Sequence, residues 1–163
     1  TNRLDRDTSG LTVIAKNPLS SAILSDMAVR HAITREYLAI VRGVVTPPSG
    51  TITAPLSRKP GSIIERCVDF EHGERAVTHY KTVKAGKRFS LLDIEIMTGR
   101  KNQIRVQLAE RGNPIAGDKK YGAVTNPIHR LALHASELEI MSPSGKHFKF
   151  RAPIPASFAK VVK

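Results

Sequence analysis

The chain has 163 residues, 40% hydrophobic and 25% charged, with 26 Lys+Arg against 14 Asp+Glu for a formal net charge of +12. This is the composition of one folded domain with a real core, and its positive excess predicts a polyanionic partner, RNA or DNA ahead of a membrane surface. The composition excludes an internal disulfide and a thiolate zinc cluster, since Cys67 stands alone, and no apolar run approaches the roughly 20 residues that cross a bilayer.

In chain order, the charged stretch Arg3-Leu4-Asp5-Arg6-Asp7 runs through the small-residue turn Thr8-Ser9-Gly10 into the apolar run 11–15, which reads as a strand. Leu4 and Leu11 draw the stretch toward a core, so one of its carboxylates is a candidate for a positioned, working group. The alternative reading is a solvated charge run on an exposed arm. Asn17-Pro18 then supplies a helix N-cap and a first-turn proline, and Leu19, Ala22, Ile23 and Met27 recur at helical spacing to about His31, predicting a helix packed on the core. Residues 34–41 alternate as a strand, and Thr46-Pro47-Pro48-Ser49-Gly50 reads as a loop.

From residue 51 the period is that of strands, over 51–54, 63–70, 75–83 and 89–97, separated by the basic loop 57–61 and by Gly-containing turns, which predicts an antiparallel meander. Residues 102–112 carry two signals. Ile104, Val106 and Leu108 alternate like a strand, while Asn102 before the run and Gly112 after it are helix-cap residues, and the caps favour a helix. On that helix Arg105 shares a face with Leu108 and Ala109, so its guanidinium is partly buried and needs a carboxylate, with Asp5 or Asp7 able to supply it. Beyond lie the segment 130–135, a hairpin of 137–141 with 146–151 around Ser142-Pro143-Ser144-Gly145, and a terminal helix over 157–162. Six histidines without paired spacing predict no metal.

Five ordered blocks resemble the RluA-type pseudouridine synthases. Asn2-Arg3-Leu4-Asp5-Arg6-Asp7-Thr8-Ser9-Gly10-Leu11 is similar to that family's His-Arg-Leu-Asp-x-x-Thr-Ser-Gly-Leu signature, and Arg35-Glu36-Tyr37-Leu38-Ala39-Ile40-Val41-Arg42-Gly43 to its second block. The third block resembles Thr98-Gly99-Arg100 through Val106, with Pro114-Ile115-Ala116-Gly117-Asp118 and Tyr121-Gly122, while Arg130-Leu131-Ala132-Leu133-His134-Ala135 and Ala152-Pro153-Ile154-Pro155 fall where the family has equivalents. The resemblance implies an α+β fold on a mixed, mainly antiparallel sheet with flanking helices and a central cleft. It also implies isomerisation of uridine in RNA, ribosomal or transfer, without a cofactor, and the lack of a membrane-spanning run or signal-peptide pattern predicts a cytoplasmic location.

By resemblance Asp5 is the nucleophilic or proton-abstracting aspartate, Tyr37 the aromatic against the base, Arg105 the arginine that pairs with the aspartate, and Leu133 the apolar residue under the base. An arginine so placed would hold Asp5 ionised against the effect of burial. Arg3, Arg100, Lys101, Lys119 and Lys120, which flank the implied cleft in sequence, are candidate phosphate contacts; Asp7 reads as a cap of the turn at 8–10. Asn2 stands where the family has His, and Lys101, Asn102 and Gln107 stand where it has Thr, His and His, so RNA contacts are expected to differ. Residues 1–163 are expected to be a single, monomeric catalytic domain lacking the family's N-terminal part. The competing class is a catalytically idle RNA-binding or ribosome-assembly module on the same fold; a DNA-binding protein has no motif here to support it.

Overall fold

The computed structural model describes residues 4–162. Its elements, in chain order, are β1 (Ser9–Gly10), α1 (Pro18–Val29), β2 (Ile33–Arg42), β3 (Ser49–Ile52), β4 (Leu56–Arg58), β5 (Arg66–Val68), β6 (Thr78–Ala85), β7 (Phe89–Ile96), α2 (Gln103–Glu110), a 3-10 turn (Lys119–Tyr121), β8 (Leu133–Met141), β9 (His147–Arg151) and α3 (Ala156–Val161). Seven strands form one sheet in the order β1-β8-β2-β7-β6-β3, with β9 also paired to β8. Among the described strands only the β1–β8 pair is parallel, so the molecule is α+β on a mixed, mainly antiparallel sheet.

The core lies where the central strands meet α2. Ala39, Ile40 and Val41 of β2 and Leu92 and Ile94 of β7 are fully buried, and they pack with Ile104 and Leu108 of α2, Leu133 at the head of β8 and Phe158 of α3. Val106, on another side of α2, packs with Leu56 and Ala76 in a smaller cluster. That sandwiching explains the double signal in the sequence: α2 is buried from Gln103 to Leu108, so alternating apolar residues and helix caps coexist.

Two glutamines tie α2 to the sheet. Gln107 accepts from the Thr78 hydroxyl (2.7 Å) and donates to the carbonyls of Ala54 and Ala76, while Gln103 donates to Val77 O and Thr78 Oγ1 and accepts from Thr98 and the Arg100 amide. Gln107 therefore turns inward, away from any RNA. Gln107→Leu is expected to destabilise the protein by roughly 1–3 kcal/mol for each buried partner left unpaired, read as a lower denaturant midpoint at unchanged slope.

Several sequence expectations are corrected. Residues 12–15 form no strand, because the edge of β8 is already taken: Ser9 and Gly10 pair with His134 and Ala135, but from Glu137 onward that edge pairs with β9. The Asn17 side chain caps α1 by accepting from Ser20 N (2.8 Å), yet only Met27 of the helix is buried and Leu19 is 71% exposed, so α1 is no core helix. Ser49 and Gly50, read as loop, open β3. The strand expected over 63–70 shrinks to β5, which pairs with β4 in a separate two-stranded sheet, while Ile63, Ile64 and Phe70 face out; β4 in turn occupies part of the expected basic loop. No described helix is long and apolar enough to cross a membrane.

Candidate active site

The loop before β1 and the loop before α2 meet beneath the sheet's end, and between them opens a cleft of about 1070 Å³. Among the described residues its wall carries eight Arg and Lys side chains against three Asp. Burial, followed by the positive charge of Arg105, lowers the pKa of Lys120, with Lys101 adding to the effect and Glu65 and Asp118 opposing it.

At the bottom of this cleft a recess of about 60 Å³ is lined by Asp5, Tyr37, Leu133, Ile104, Thr8 and Arg35, among others. Each comes from a different place in the chain. A turn closed by Thr8 N donating to Asp5 O (3.0 Å) leads into β1, whose parallel pairing with β8 sets Asp5 beside the start of α2. Tyr37 projects from β2 and Leu133 from the first residue of β8, both buried. The recess mixes apolar walls, from Leu4, Tyr37, Ile96, Ile104 and Leu133, with the polar Asp5, Thr8, Arg35, Arg100 and Gln103, and two of its polar atoms, Thr8 Oγ1 and Arg35 Nε, are buried without a hydrogen-bond partner.

Arg105 does not bind Asp5 first. Its Nε and Nη2 donate to the two carboxylate oxygens of the buried Asp118 at 2.7 and 2.8 Å, and its Nη1 donates to Asn102 Oδ1 at 3.0 Å. Its guanidinium also lies 5.0 Å over the ring of Tyr121. Asp5 Oδ2 is a secondary neighbour, 3.8 Å from Nη1. The partner expected from sequence was Asp5 or Asp7; Asp118 takes that place because Gly117, at φ +80°, turns the chain so tightly that a Cβ there would stand 2.1 Å from Arg130 O.

The same network corrects the reading of Asn102 as a side-chain cap. Asn102 is left-handed, its side chain makes no capping bond, and it donates to the Tyr121 hydroxyl (2.9 Å), which also accepts from Arg66 N.

The carboxyl of Asp5 is pushed above its ordinary value. Burial is the largest cause, offset by the Arg105 charge and the Asn102 N–H, with Asp118 adding to the rise. The expected ionising effect of arginine is present but is outweighed, since Arg105 is largely neutralised by Asp118. Burial likewise raises the Tyr37 phenol, with Asp5 adding to it and Arg35 opposing, so the phenol stays protonated at neutral pH and offers a neutral ring and a hydroxyl.

The remaining candidates are placed as follows. Arg100 and Lys101 line the cleft; Arg100 also reaches the recess, and it is held by Glu74 and donates to Arg75 O (3.1 Å). Lys119 and Lys120 line the cleft, while Arg3 lies outside the described residues. Asp7 is exposed and left-handed, with Arg6 at 4.0 Å, and is no turn cap. Asp118 and Arg35 were not singled out from sequence; the only signal was their presence inside the quoted blocks.

The family description RNA pseudouridylate synthase matches residues 1–110. Among curated proteins, an uncharacterized RNA pseudouridine synthase of Bacillus subtilis is 38% identical over 99% of this chain and 57% of its own length. Ribosomal large subunit pseudouridine synthase D of Escherichia coli K12 is 34% identical over 99% of this chain and 54% of its own length. The chain thus spans about half the length of the curated relatives it matches. The solved structure of human RNA pseudouridylate synthase domain containing 1 superposes with a TM-score of 0.81 at 26% identity, covering 94% of this chain and 68% of that one. With its match over most of its length, its α+β architecture and its five blocks, the chain belongs to the RNA pseudouridylate synthase family, an isomerase family, within its RluA type.

Proposed function

We propose that this chain isomerises uridine in structured RNA, with ribosomal RNA the favoured substrate, and that Asp5 performs the chemistry. The observation that carries this reading is that Asp5, Tyr37 and Leu133, distant in sequence, line one small recess of mixed polar and apolar walls that adjoins a strongly positive cleft. The cleft suits the RNA backbone, whose phosphates supply most of the affinity. The recess suits one unstacked base, and extruding that base costs least from a loop or bulge.

In the proposed reaction the N1–C1′ bond of the uridine breaks, the base turns, and a C5–C1′ bond forms; N1 gains a proton and C5 loses one, so no oxidant or co-substrate is consumed. The Asp5 carboxylate acts either as a nucleophile on the ribose or as the base that takes its C2′ proton. Tyr37 packs one face of the uracil and Leu133 the other. Ribosomal RNA is favoured because the Escherichia coli relative is named for the large ribosomal subunit.

The test is tritium release. Ribosomal and transfer RNA labelled at C5 of uridine are incubated with the protein, and release of tritium to water from ribosomal RNA is expected. Binding of both RNAs with no release from either would leave an RNA-binding module and overturn the proposal.

A further inference from the structure

We propose that Arg35 grips a phosphate flanking the target nucleotide, an inference that rests on the reading of the recess as the uridine site. Arg35 lines both the cleft and the recess, so it stands at the mouth through which a flipped nucleotide's backbone has to pass. With the base in the recess and C1′ at Asp5, the adjoining phosphate lies at that mouth.

The other cleft arginines among the described residues are engaged, or, in the case of Arg6, stand out in solvent with Asp7 at 4.0 Å. Arg105 is used by Asp118 and Asn102, Arg100 by Glu74 and Arg75 O, and Arg130 by Leu131 O. Arg35 has neither hydrogen bond nor ion pair among the described residues, and its Nε is buried. It is also held in place: Nη1 and Nη2 lie 3.1 and 3.3 Å from where a Cβ on Gly99 would stand, so the guanidinium rests against that backbone.

A guanidinium stays charged under all relevant conditions and presents a planar fork that fits two phosphate oxygens. Leaving such a cation half-buried without an acceptor is costly, and no described carboxylate lies within ion-pair distance of it, although Asp5 lines the same recess. A phosphate does so with the right charge and shape. The neutral carbonyl of a base would satisfy one N–H and leave the charge uncompensated.

The experiment measures binding of oligouridylate by fluorescence anisotropy across a salt series, together with thermal unfolding, for wild type, Arg35→Ala, Arg35→Lys and Gly99→Ala. Arg35→Ala is expected to weaken binding about tenfold and to make the slope of log affinity against log salt shallower by about 0.7, the value for one phosphate on a single strand, while the melting temperature holds or rises. Arg35→Lys is expected to keep the slope and lose part of the affinity. Gly99→Ala, which displaces the guanidinium at constant charge, is expected to weaken binding as well.

An Arg35→Ala variant with wild-type affinity and slope overturns the inference. So does one with weaker binding at an unchanged slope, which marks a base contact, or one that loses several degrees of melting temperature, which marks a structural role. If the wild-type protein releases no tritium from RNA, the isomerase reading fails separately, and the salt slopes still decide whether Arg35 meets a phosphate.

Discussion

Asp5→Asn is expected to lower the rate of pseudouridine formation by about a thousandfold or more while raising the melting temperature. Both effects have one origin. The folded state disfavours the Asp5 charge, chiefly through burial, so an uncharged isostere relieves a penalty. The change does not strand Arg105, whose short contacts go to Asp118 and Asn102. The pH dependence follows with a definite sign. Because the folded pKa lies above the ordinary 3.8, the unfolded chain releases its proton first, and stability falls as pH rises from the unfolded to the folded pKa. Below that window the penalty is absent; above it, it is complete, so wild type and Asp5→Asn should converge in stability at acid pH. Activity follows the carboxylate and should rise with pH, with a midpoint above 3.8. Stability measured against pH for both proteins checks the first statement, and initial rates against pH the second. A less stable Asp5→Asn at neutral pH, or one that retains the wild-type rate, would overturn this account.

Asp118→Ala is expected to destabilise the protein by about 3–5 kcal/mol, because removing one partner of a buried pair leaves the other charge uncompensated. For a chain of this size that is a fall of roughly 6–20 °C in melting temperature, a large share of a typical total stability of about 5–15 kcal/mol. Asp118→Asn, which keeps an acceptor for the Arg105 fork, should lose less. The same change reaches the reaction through Asp5. Asp118 raises the Asp5 pKa directly and draws Arg105 away from it, so on the proposed function its removal should shift the pH–rate profile of the surviving folded protein to lower pH. Calorimetry and the pH profile are independent readouts, and an Asp118→Ala protein that melts with wild type would show that the buried pair does not hold this corner of the fold.

The elements read correctly from the chain were those whose pattern was local and whose burial was decisive. β7 alternates in burial while β2 is a continuous apolar run over 37–41, and both lie in the middle of the sheet; α2 and α3 carry usable boundary residues; Asn17-Pro18 marks the start of α1, where the Asn17 side chain makes the expected cap. The failures have specific causes. The apolar residues of α1 have helical spacing, but spacing says nothing of whether a partner surface exists, and Leu19 remains largely and Ile23 partly exposed. The run 11–15 has the composition of a strand, but its place along β8 belongs to β9.

Residue types and their order determined most of the strands, the helical nature of α2, the basic character of the molecule and the group of Asp5, Tyr37, Leu133 and Arg105, because hydrophobic period, caps, net charge and motif order are written along the chain. Only the tertiary structure decided that Asp118 is the main partner of Arg105, that Asp5 is raised despite a neighbouring cation, and that Arg35 forms no ion pair among the described residues. Pairing and pKa depend on distances between residues far apart in sequence and on which of several competing charges packs closest, and those distances exist only once the sheet has closed over α2.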